Sequence, residues 1–114
     1  SGTKEEFHWA KDHVSMNPFN LDGLKETVEK LKDKPVYITI DLDVLDPSAF
    51  PGTGTIEPGG ISFKDLIEAF KLFNNLNNIV GMDAVELSPH YDQSGMSTAV
   101  ACKVIREMAL IAVK

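Results

Sequence analysis

Two aspartates one residue apart, Asp41 and Asp43, follow the hydrophobic run at residues 36–40. Side chains of an extended chain alternate between its two faces, so these two carboxylates are expected on the same face. Their mutual repulsion needs a cation, a proton or strong hydrogen bonds to offset it. Carboxylate oxygens suit hard and borderline divalent metal ions. The pattern therefore predicts part of a metal site, against the alternative that one aspartate caps a loop and the other is solvated.

Other carboxylates lie close to predicted strands. Asp46 precedes Pro47, which favours a turn whose backbone amides donate to its carboxylate, and support of a nearby metal site is compatible with that. Glu86 closes the apolar stretch at residues 79–87. A buried carboxylate there needs either a bound cationic group or a fixed hydrogen bond. Asp83, inside the same stretch, is predicted to make a structural hydrogen bond.

The loop at residues 51–55 reads Pro-Gly-Thr-Gly-Thr and includes Thr53 and Gly54. It allows the backbone to approach a ligand closely, but it lacks the lysine and the helix placement of a phosphate-binding P-loop. His90 follows Glu86 and either lines a pocket or lies on the surface, as isolated histidines usually do. Cys102 falls inside a helical pattern and is predicted to be a small buried hydrophobe.

Strands alternating with helices must position these side chains. The spacing of apolar residues predicts strands at 36–40 and 79–87, and an ambiguous short segment at 14–19 is a candidate third strand. Helices are predicted from residue 3 to about 13, over 21–31, over 62–73 and from about 94–98 to 111. This order indicates an α/β fold with a parallel sheet. In such sheets, binding sites form beyond the carboxyl ends of the strands, where Asp41, Asp43 and Glu86 stand.

The bulk composition narrows the function classes. The 114 residues have room for one domain, and 43% of them are hydrophobic, enough for a core. The net charge of −6 argues against nucleic acid or an anionic membrane as the partner and suits a cationic ligand. No apolar run is long enough to span a membrane. The single cysteine allows no disulfide within the chain, so a reducing cytoplasm is the expected location.

Residues 39–60 resemble the signature of the ureohydrolases, the family of arginases, agmatinases and their relatives. The matching positions are Thr-Ile-Asp-Leu-Asp at 39–43, Pro47, Pro-Gly at 51–52 and Gly60, and Ile56 departs from the proline common there. The resemblance continues through residues 80–94 and the last helix. It implies a three-layer α/β/α fold to which residues 1–114 supply the C-terminal strands and helices of one domain, the N-terminal half being absent. Three segments are more similar to agmatinases than to arginases: Pro-Gly-Thr-Gly-Thr at 51–55, Glu-Pro-Gly-Gly at 57–60 and Ser-Pro-His-Tyr-Asp-Gln-Ser at 88–94.

The resemblance implies manganese-dependent hydrolysis of a guanidino group by a binuclear centre, with agmatine converted to putrescine and urea. Asp41 and Asp43 would be metal ligands, and Glu86 would pair with the cationic guanidino substrate. Four loop residues are further candidates for supporting the site: Asp46, Thr53, Gly54 and His90. No residue is assigned as a proton-transferring catalyst. Arginine or another guanidino acid remains an alternative substrate.

The family's other metal ligands are a histidine and an Asp-x-His-x-Asp cluster upstream of the matched region, and no such cluster occurs in these 114 residues. The chain alone is therefore expected to be inactive and to need a complementary N-terminal segment of the same protein. The family resemblance also implies a homo-oligomer. Two rival interpretations are a haloacid-dehalogenase-type phosphatase, which Leu45 and Pro47 fit poorly, and a non-catalytic remnant that binds partners through an open sheet edge.

Overall fold

Four α-helices alternate with two β-strands in the computed structural model, which describes residues 2–18 and 20–113. The helices are α1 (Lys4–His13), α2 (Leu24–Leu31), α3 (Phe63–Phe73) and α4 (Met96–Ala112). The strands are β1 (Val36–Asp41) and β2 (Ile79–Val85). Two short 3-10 helices, Leu42–Val44 and Pro89–Tyr91, follow the strands. The predicted α/β class and the predicted order of helices and strands are confirmed.

Side-chain capping fixes where two of the helices begin. The Thr3 hydroxyl accepts from the backbone N–H of Glu6, and the Glu6 carboxylate accepts from the backbone N–H of Thr3. Ser62 and Asp65 form the same reciprocal pair at the start of α3. Each pair satisfies backbone N–H groups that a helix terminus otherwise leaves without partners. Both starts agree with the helices predicted from the sequence.

The two strands pair in parallel. After an irregularity between Val36 and Tyr37, the register runs from Tyr37 opposite Gly81 to Asp41 opposite Val85. The connection from β1 to β2 passes through α3, as a parallel pair requires. The predicted parallel sheet is therefore present, and it places the carboxyl ends of both strands at the same edge.

Only one face of β1 is covered within the described residues. Ile38 and Ile40 are buried, whereas Tyr37 is 58% exposed and Thr39 is also exposed. A continuous hydrophobic run such as 36–40 predicts a strand covered on both faces, and residues 2–18 and 20–113 do not provide the second cover. The covered face belongs to a core formed by Val28, Ile38, Ile40, Leu42, Leu45, Phe50, Leu66, Phe70, Leu76, Ala101, Val104, Met108 and Ile111.

Three predicted segments change, and the first is the helix predicted over 21–31, which begins at Leu24. The short strand suggested for residues 14–19 is not formed at residues 14–18, and Phe19 lies outside the described residues. The strand predicted at 79–87 ends at Val85. It ends there because Glu86 adopts a positive φ of 69°, which turns the chain out of the extended conformation.

Helix α4 buries one stripe and exposes the rest. Ser97, Ala101, Val104, Met108 and Ile111 face the core. Cys102 lies outside this stripe and is exposed, so the prediction of a buried cysteine is wrong. The helical period explains the error, since the residue next to the buried Ala101 points away from the core. Among residues 2–18 and 20–113, no helix combines the length and apolar character needed to cross a bilayer.

Replacing a leucine with alanine tests the position of the core. Leu66 is 4% exposed in α3, whereas Leu110 is 57% exposed in α4. Leu66→Ala should lower the free energy of unfolding by about 2–5 kcal/mol, because burial is lost and a cavity remains. Leu110→Ala should change it by less than about 0.5 kcal/mol. Urea denaturation of the 114-residue chain measures both values, and equal losses would contradict this core.

Candidate metal and substrate site

Acidic residues from both strands meet at one edge of the sheet. Asp41 is the last residue of β1 and lies opposite Val85, the last residue of β2. Glu86 follows directly after that pair. Because the strands are parallel, the side chains at their carboxyl ends share one crevice, the usual position of a binding site in an α/β sheet. The structure therefore brings Asp41 and Glu86 to the same edge, as the sequence indicated.

A 3-10 turn, and not strand alternation, holds Asp43 beside Asp41. The strand ends at Asp41, and Asp43 lies in the 3-10 helix Leu42–Val44. The Asp41 carboxylate caps this turn, with its Oδ1 3.3 Å from the backbone nitrogen of Asp43. The expectation that both aspartates lie on one extended strand is wrong in this detail. The turn forms because it buries Leu42, which is 1% exposed, in the core.

Asp43 is in an unfavourable place for a negative charge. Partial burial, hydrogen bonding with Asp41 and repulsion from Asp41 and Glu86 together raise the pKa of Asp43 to about 6. Burial is the largest of these causes. The repulsion shows that Asp41 and Glu86 both lie close enough to Asp43 to act on its charge. A bound cation would offset that repulsion and favour the ionised form.

Glu86 has the only positive φ found outside glycine in the described residues. A non-glycine residue in this left-handed region is strained, and such strain often occurs at functional sites. The side chain is exposed, so the expectation of a buried carboxylate with a fixed partner is wrong within the described residues. The exposed carboxylate remains accessible to a ligand at the sheet edge.

These donors match a divalent metal in kind and are too few to enclose it. Aspartate oxygens suit Mn²⁺ and Mg²⁺, which prefer carboxylate and water ligands. No group of three or more histidine, cysteine, aspartate or glutamate side chains that could hold a metal occurs within residues 2–18 and 20–113. Asp41 and Asp43 can therefore supply two of the ligands of a metal centre, and the remaining ligands must come from elsewhere.

Asp46 ties together the loop that follows the metal-ligand candidates. Its carboxylate accepts hydrogen bonds from the backbone nitrogens of Ser48 and Gly59, each at 3.0 Å, and from the Ser48 hydroxyl. These bonds hold the pKa of Asp46 below its usual range. Residues 46 and 59 are thereby joined across the loop, so Asp46 organises the turn as the sequence predicts.

The Pro-Gly-Thr-Gly loop packs against the start of α4. The backbone nitrogen of Gly52 donates to the buried Ser97 hydroxyl at 2.8 Å, and the Gly52 carbonyl accepts from the nitrogen of Ser88 at the same distance. A Cβ at Gly52 would stand 2.7 Å from the Ser97 Cβ, so only glycine fits. No local sequence pattern indicates this contact, because Ser97 is 45 residues further along the chain.

Thr53 is the loop residue whose polar group is least satisfied. It is 3% exposed, and its hydroxyl has no hydrogen-bond partner within the described part of the chain. Gly54, next to it, is exposed and has open space around it. His90 is also exposed, and its ring contacts that of Tyr91 at a centroid distance of 4.2 Å. The supporting roles of Thr53, Gly54 and His90 remain predictions.

A cavity of about 420 Å³ adjoins Asp43. Sequence reasoning did not identify it, because its wall combines the segment after α1 with the loop before α3. It is lined by Asn17, Asn20, Leu21, Asp43, Val44, Glu57, Pro58, Gly59, Gly60 and Ile61. The cavity gives a small molecule access to one of the two metal-ligand candidates.

Comparison with known proteins agrees with this geometry. A sequence model of the arginase family matches residues 1–111 of the chain. An agmatinase from Bacillus anthracis is 51% identical over 96% of this chain, and an agmatinase from Bacillus subtilis strain 168 is 47% identical over all of it. The matched regions cover 39% and 40% of those two proteins. The chain therefore spans about two-fifths of the length of these relatives.

A solved structure from Clostridium difficile, of a protein considered an agmatinase, superimposes with a TM-score of 0.91. It is 54% identical, and the match covers 97% of this chain and 41% of that one. The agreement extends over both strands and all four helices of the described residues, so the arrangement of the sheet edge is shared with a longer protein.

Glycine substitutions test the close packing beside the site. A Cβ at Gly60 would stand 2.5 Å from the Val44 carbonyl oxygen and 2.6 Å from the Asp46 nitrogen, whereas a Cβ at Gly54 meets nothing within 4 Å. Gly60→Ala should lower the free energy of unfolding by about 1–3 kcal/mol, since backbone must move. Gly54→Ala is the matched control, with a change below about 0.5 kcal/mol. Thermal unfolding compares them, and a neutral Gly60→Ala would contradict the packing.

The dependence of stability on acidic pH tests the hydrogen bonds of Asp92, which lies in the loop before α4. Hydrogen bonds from Ser94 and Ser97 hold the pKa of Asp92 well below its usual range. A carboxyl group with a lower pKa in the folded chain stabilises it above the unfolded pKa of about 3.9, and this contribution is lost as the pH falls through the folded pKa. When the pH is lowered from about 5 to about 2, the free energy of unfolding of Asp92→Asn should therefore fall less than that of the unmodified chain.

Chemical denaturation at a series of pH values measures this difference. Asp12→Asn, at an exposed position in α1, is the control and should follow the unmodified chain. A profile for Asp92→Asn that coincides with the control would show that the hydrogen bonds from Ser94 and Ser97 do not stabilise the ionised carboxylate.

Proposed function

The chain belongs to the arginase family, and from this we propose that it forms part of a ureohydrolase that converts agmatine to putrescine and urea. The observation that carries the proposal is the meeting of Asp41, Asp43 and Glu86 at the carboxyl edge of the parallel sheet. Three carboxylates at one edge, two of which repel the third, suit a site for a metal ion and a cationic guanidino group. The agmatinase relatives favour agmatine over arginine or another guanidino acid.

Each acid has a role that follows from its position. Asp41 and Asp43, joined by the 3-10 turn, would hold manganese through their carboxylate oxygens. Bound manganese supplies the positive charge that generates a nucleophile from water at neutral pH. Glu86, directly after the neighbouring strand, would accept hydrogen bonds from the guanidinium of the substrate and orient its central carbon toward the metal-binding acids.

A complementary segment would complete both the ligand set and the sheet. Within the described residues β2 pairs only with β1, so its outer edge has unpaired backbone groups. An apolar cavity of about 540 Å³ lies along β2 and α4, lined in part by Val80, Met82, Ile105 and Met108. Since the relatives are about two and a half times as long as the matched region, their remaining residues are suitable candidates for this segment. The 114-residue chain alone is therefore proposed to be inactive.

A graft tests the proposed activity. The chain would replace the matching two-fifths of the Bacillus subtilis agmatinase, and urea released from agmatine would be measured with added Mn²⁺. The grafted protein should be active, whereas the 114-residue chain alone should release no urea, because it lacks most of the ligands. A grafted protein that folds, as judged by gel filtration and circular dichroism, yet releases no urea would contradict the proposal.

Variants of the graft separate the two acidic roles. Asp41→Asn should lose bound manganese and activity together, because it removes an anionic ligand. Glu86→Gln should keep its manganese and lose about a hundredfold or more in kcat/KM, since the charged partner of the guanidinium is gone. Asp12→Asn in α1 is the control for removal of a negative charge. Full activity in Asp41→Asn or Glu86→Gln would refute the role assigned to that residue.

A further inference from the structure

A cluster of three polar side chains links β1 to β2 on the open face of the sheet. The Asp83 carboxylate accepts a hydrogen bond from the Thr39 hydroxyl at 2.7 Å and another from the Tyr37 hydroxyl at 2.7 Å. Each bond uses a different carboxylate oxygen, so the cluster is bidentate. Tyr37 and Thr39 lie on β1 and Asp83 on β2, so both bonds cross between the strands.

The cluster lies immediately before the acidic edge. Thr39 stands directly opposite Asp83, and only two pairs of the register follow before the strands end. Asp41 is two residues beyond Thr39 on the same face of β1, about 7 Å along the strand. Glu86 is three residues beyond Asp83. Among the described residues, the cluster is the last side-chain hydrogen bond between the strands before the metal-binding and substrate-binding acids.

Charge strengthens these two bonds. Hydrogen bonds from Thr39 and then Tyr37 hold the pKa of Asp83 below its usual range, so the carboxylate is ionised at neutral pH. The same contact raises the pKa of Tyr37. Hydroxyl groups that donate to an ionised acceptor form shorter and stronger bonds than those that donate to a neutral one. Apolar β-branched pairs would hold two strands together equally well, so the polar cluster adds directional control of register.

We propose that the Tyr37–Thr39–Asp83 cluster sets the position of the metal-binding acids of β1 relative to the substrate-binding acid that follows β2. This proposal rests on the proposed function. Thr39, Tyr37 and Asp83 are positioning residues, since none of them is placed in contact with substrate or metal. The cluster acts on the separation between Asp41, which ends β1, and Glu86, which follows the end of β2.

Because the cluster lies between the two strands, its loss should affect substrate alignment and metal binding differently. Asp41 and Asp43 belong to one continuous segment, so their separation does not depend on the cluster. The separation between this segment and Glu86 does depend on it. Loss of the cluster should therefore leave manganese binding intact while impairing the alignment of the guanidino group. Removal of a ligand, by contrast, lowers metal content and activity together.

Conservative variants in the grafted agmatinase test this difference. Thr39→Val removes the hydroxyl but keeps the shape and strand preference of the side chain, and Thr39→Ser keeps the hydroxyl. Thr39→Val should lower kcat/KM for agmatine about tenfold or more, since small displacements of reacting groups are costly. Bound manganese per chain should not change, and Thr39→Ser should restore most of the activity. Thr98→Val, at an exposed position in α4, is the matched control.

Two further variants support the test. Tyr37→Phe removes only the second hydroxyl and should lower kcat/KM in the same direction by a smaller factor. In the 114-residue chain, which has two tyrosines, Asp83→Asn should shift the titration midpoint of Tyr37 downward, as followed by ultraviolet absorbance. An unchanged midpoint would show that the bond from Tyr37 to Asp83 is absent, and that would overturn the proposal.

The outcomes distinguish the two proposals. A folded graft with no activity before any substitution refutes the proposed function and the positioning role that depends on it. An active graft in which Thr39→Val and Tyr37→Phe match the control leaves the proposed function standing and overturns the positioning role. Loss of manganese in Thr39→Val also overturns it, because the residue would then act on the metal site. Loss of activity at full manganese content, restored by Thr39→Ser, supports it.

Discussion

The acidic edge depends on the parallel pairing of β1 with β2. The backbone hydrogen bonds of this pair put Asp41 opposite Val85 and leave Glu86 one residue beyond it. An antiparallel pairing would send these acids to opposite ends of the sheet. A shift of register by one residue would turn Asp41 to the buried face, since side chains alternate with period two. The buried Ile38 and Ile40 prevent that shift, because they would have to move to the open face.

The features of the open edge and face share a physical cause. Carboxylates repel one another at the edge, Tyr37 is exposed on the uncovered face of the sheet, and the outer edge of β2 has no partner strand within the described residues. Each is unfavourable for an isolated domain, and a metal ion together with additional chain would relieve each. The match to two-fifths of longer relatives is consistent with this interpretation.

Interactions between residues close in sequence could be predicted in this fold, whereas contacts between residues far apart in sequence could not. The Thr3–Glu6 and Ser62–Asp65 spacings predict helix starts because the hydrogen bonds close within one turn. Alternation of strands and helices predicts the parallel sheet and its acidic edge. The Gly52–Ser97 contact joins residues far apart in sequence, and no local pattern indicates it.

The sequence selected the residues of the candidate site, whose roles stay predictions, but it did not predict the backbone that holds them. The Asp-x-Asp pattern identifies Asp41 and Asp43, but burial of Leu42 draws the chain into a 3-10 turn that strand periodicity does not predict. The positive φ of Glu86 likewise depends on how the chain leaves β2. Anomalous X-ray diffraction at the manganese edge, from crystals of the grafted protein, tests the central claim most directly. Manganese bonded to the carboxylates of both Asp41 and Asp43, with Glu86 facing the metal, is the expected result, and manganese bound without either aspartate would contradict it.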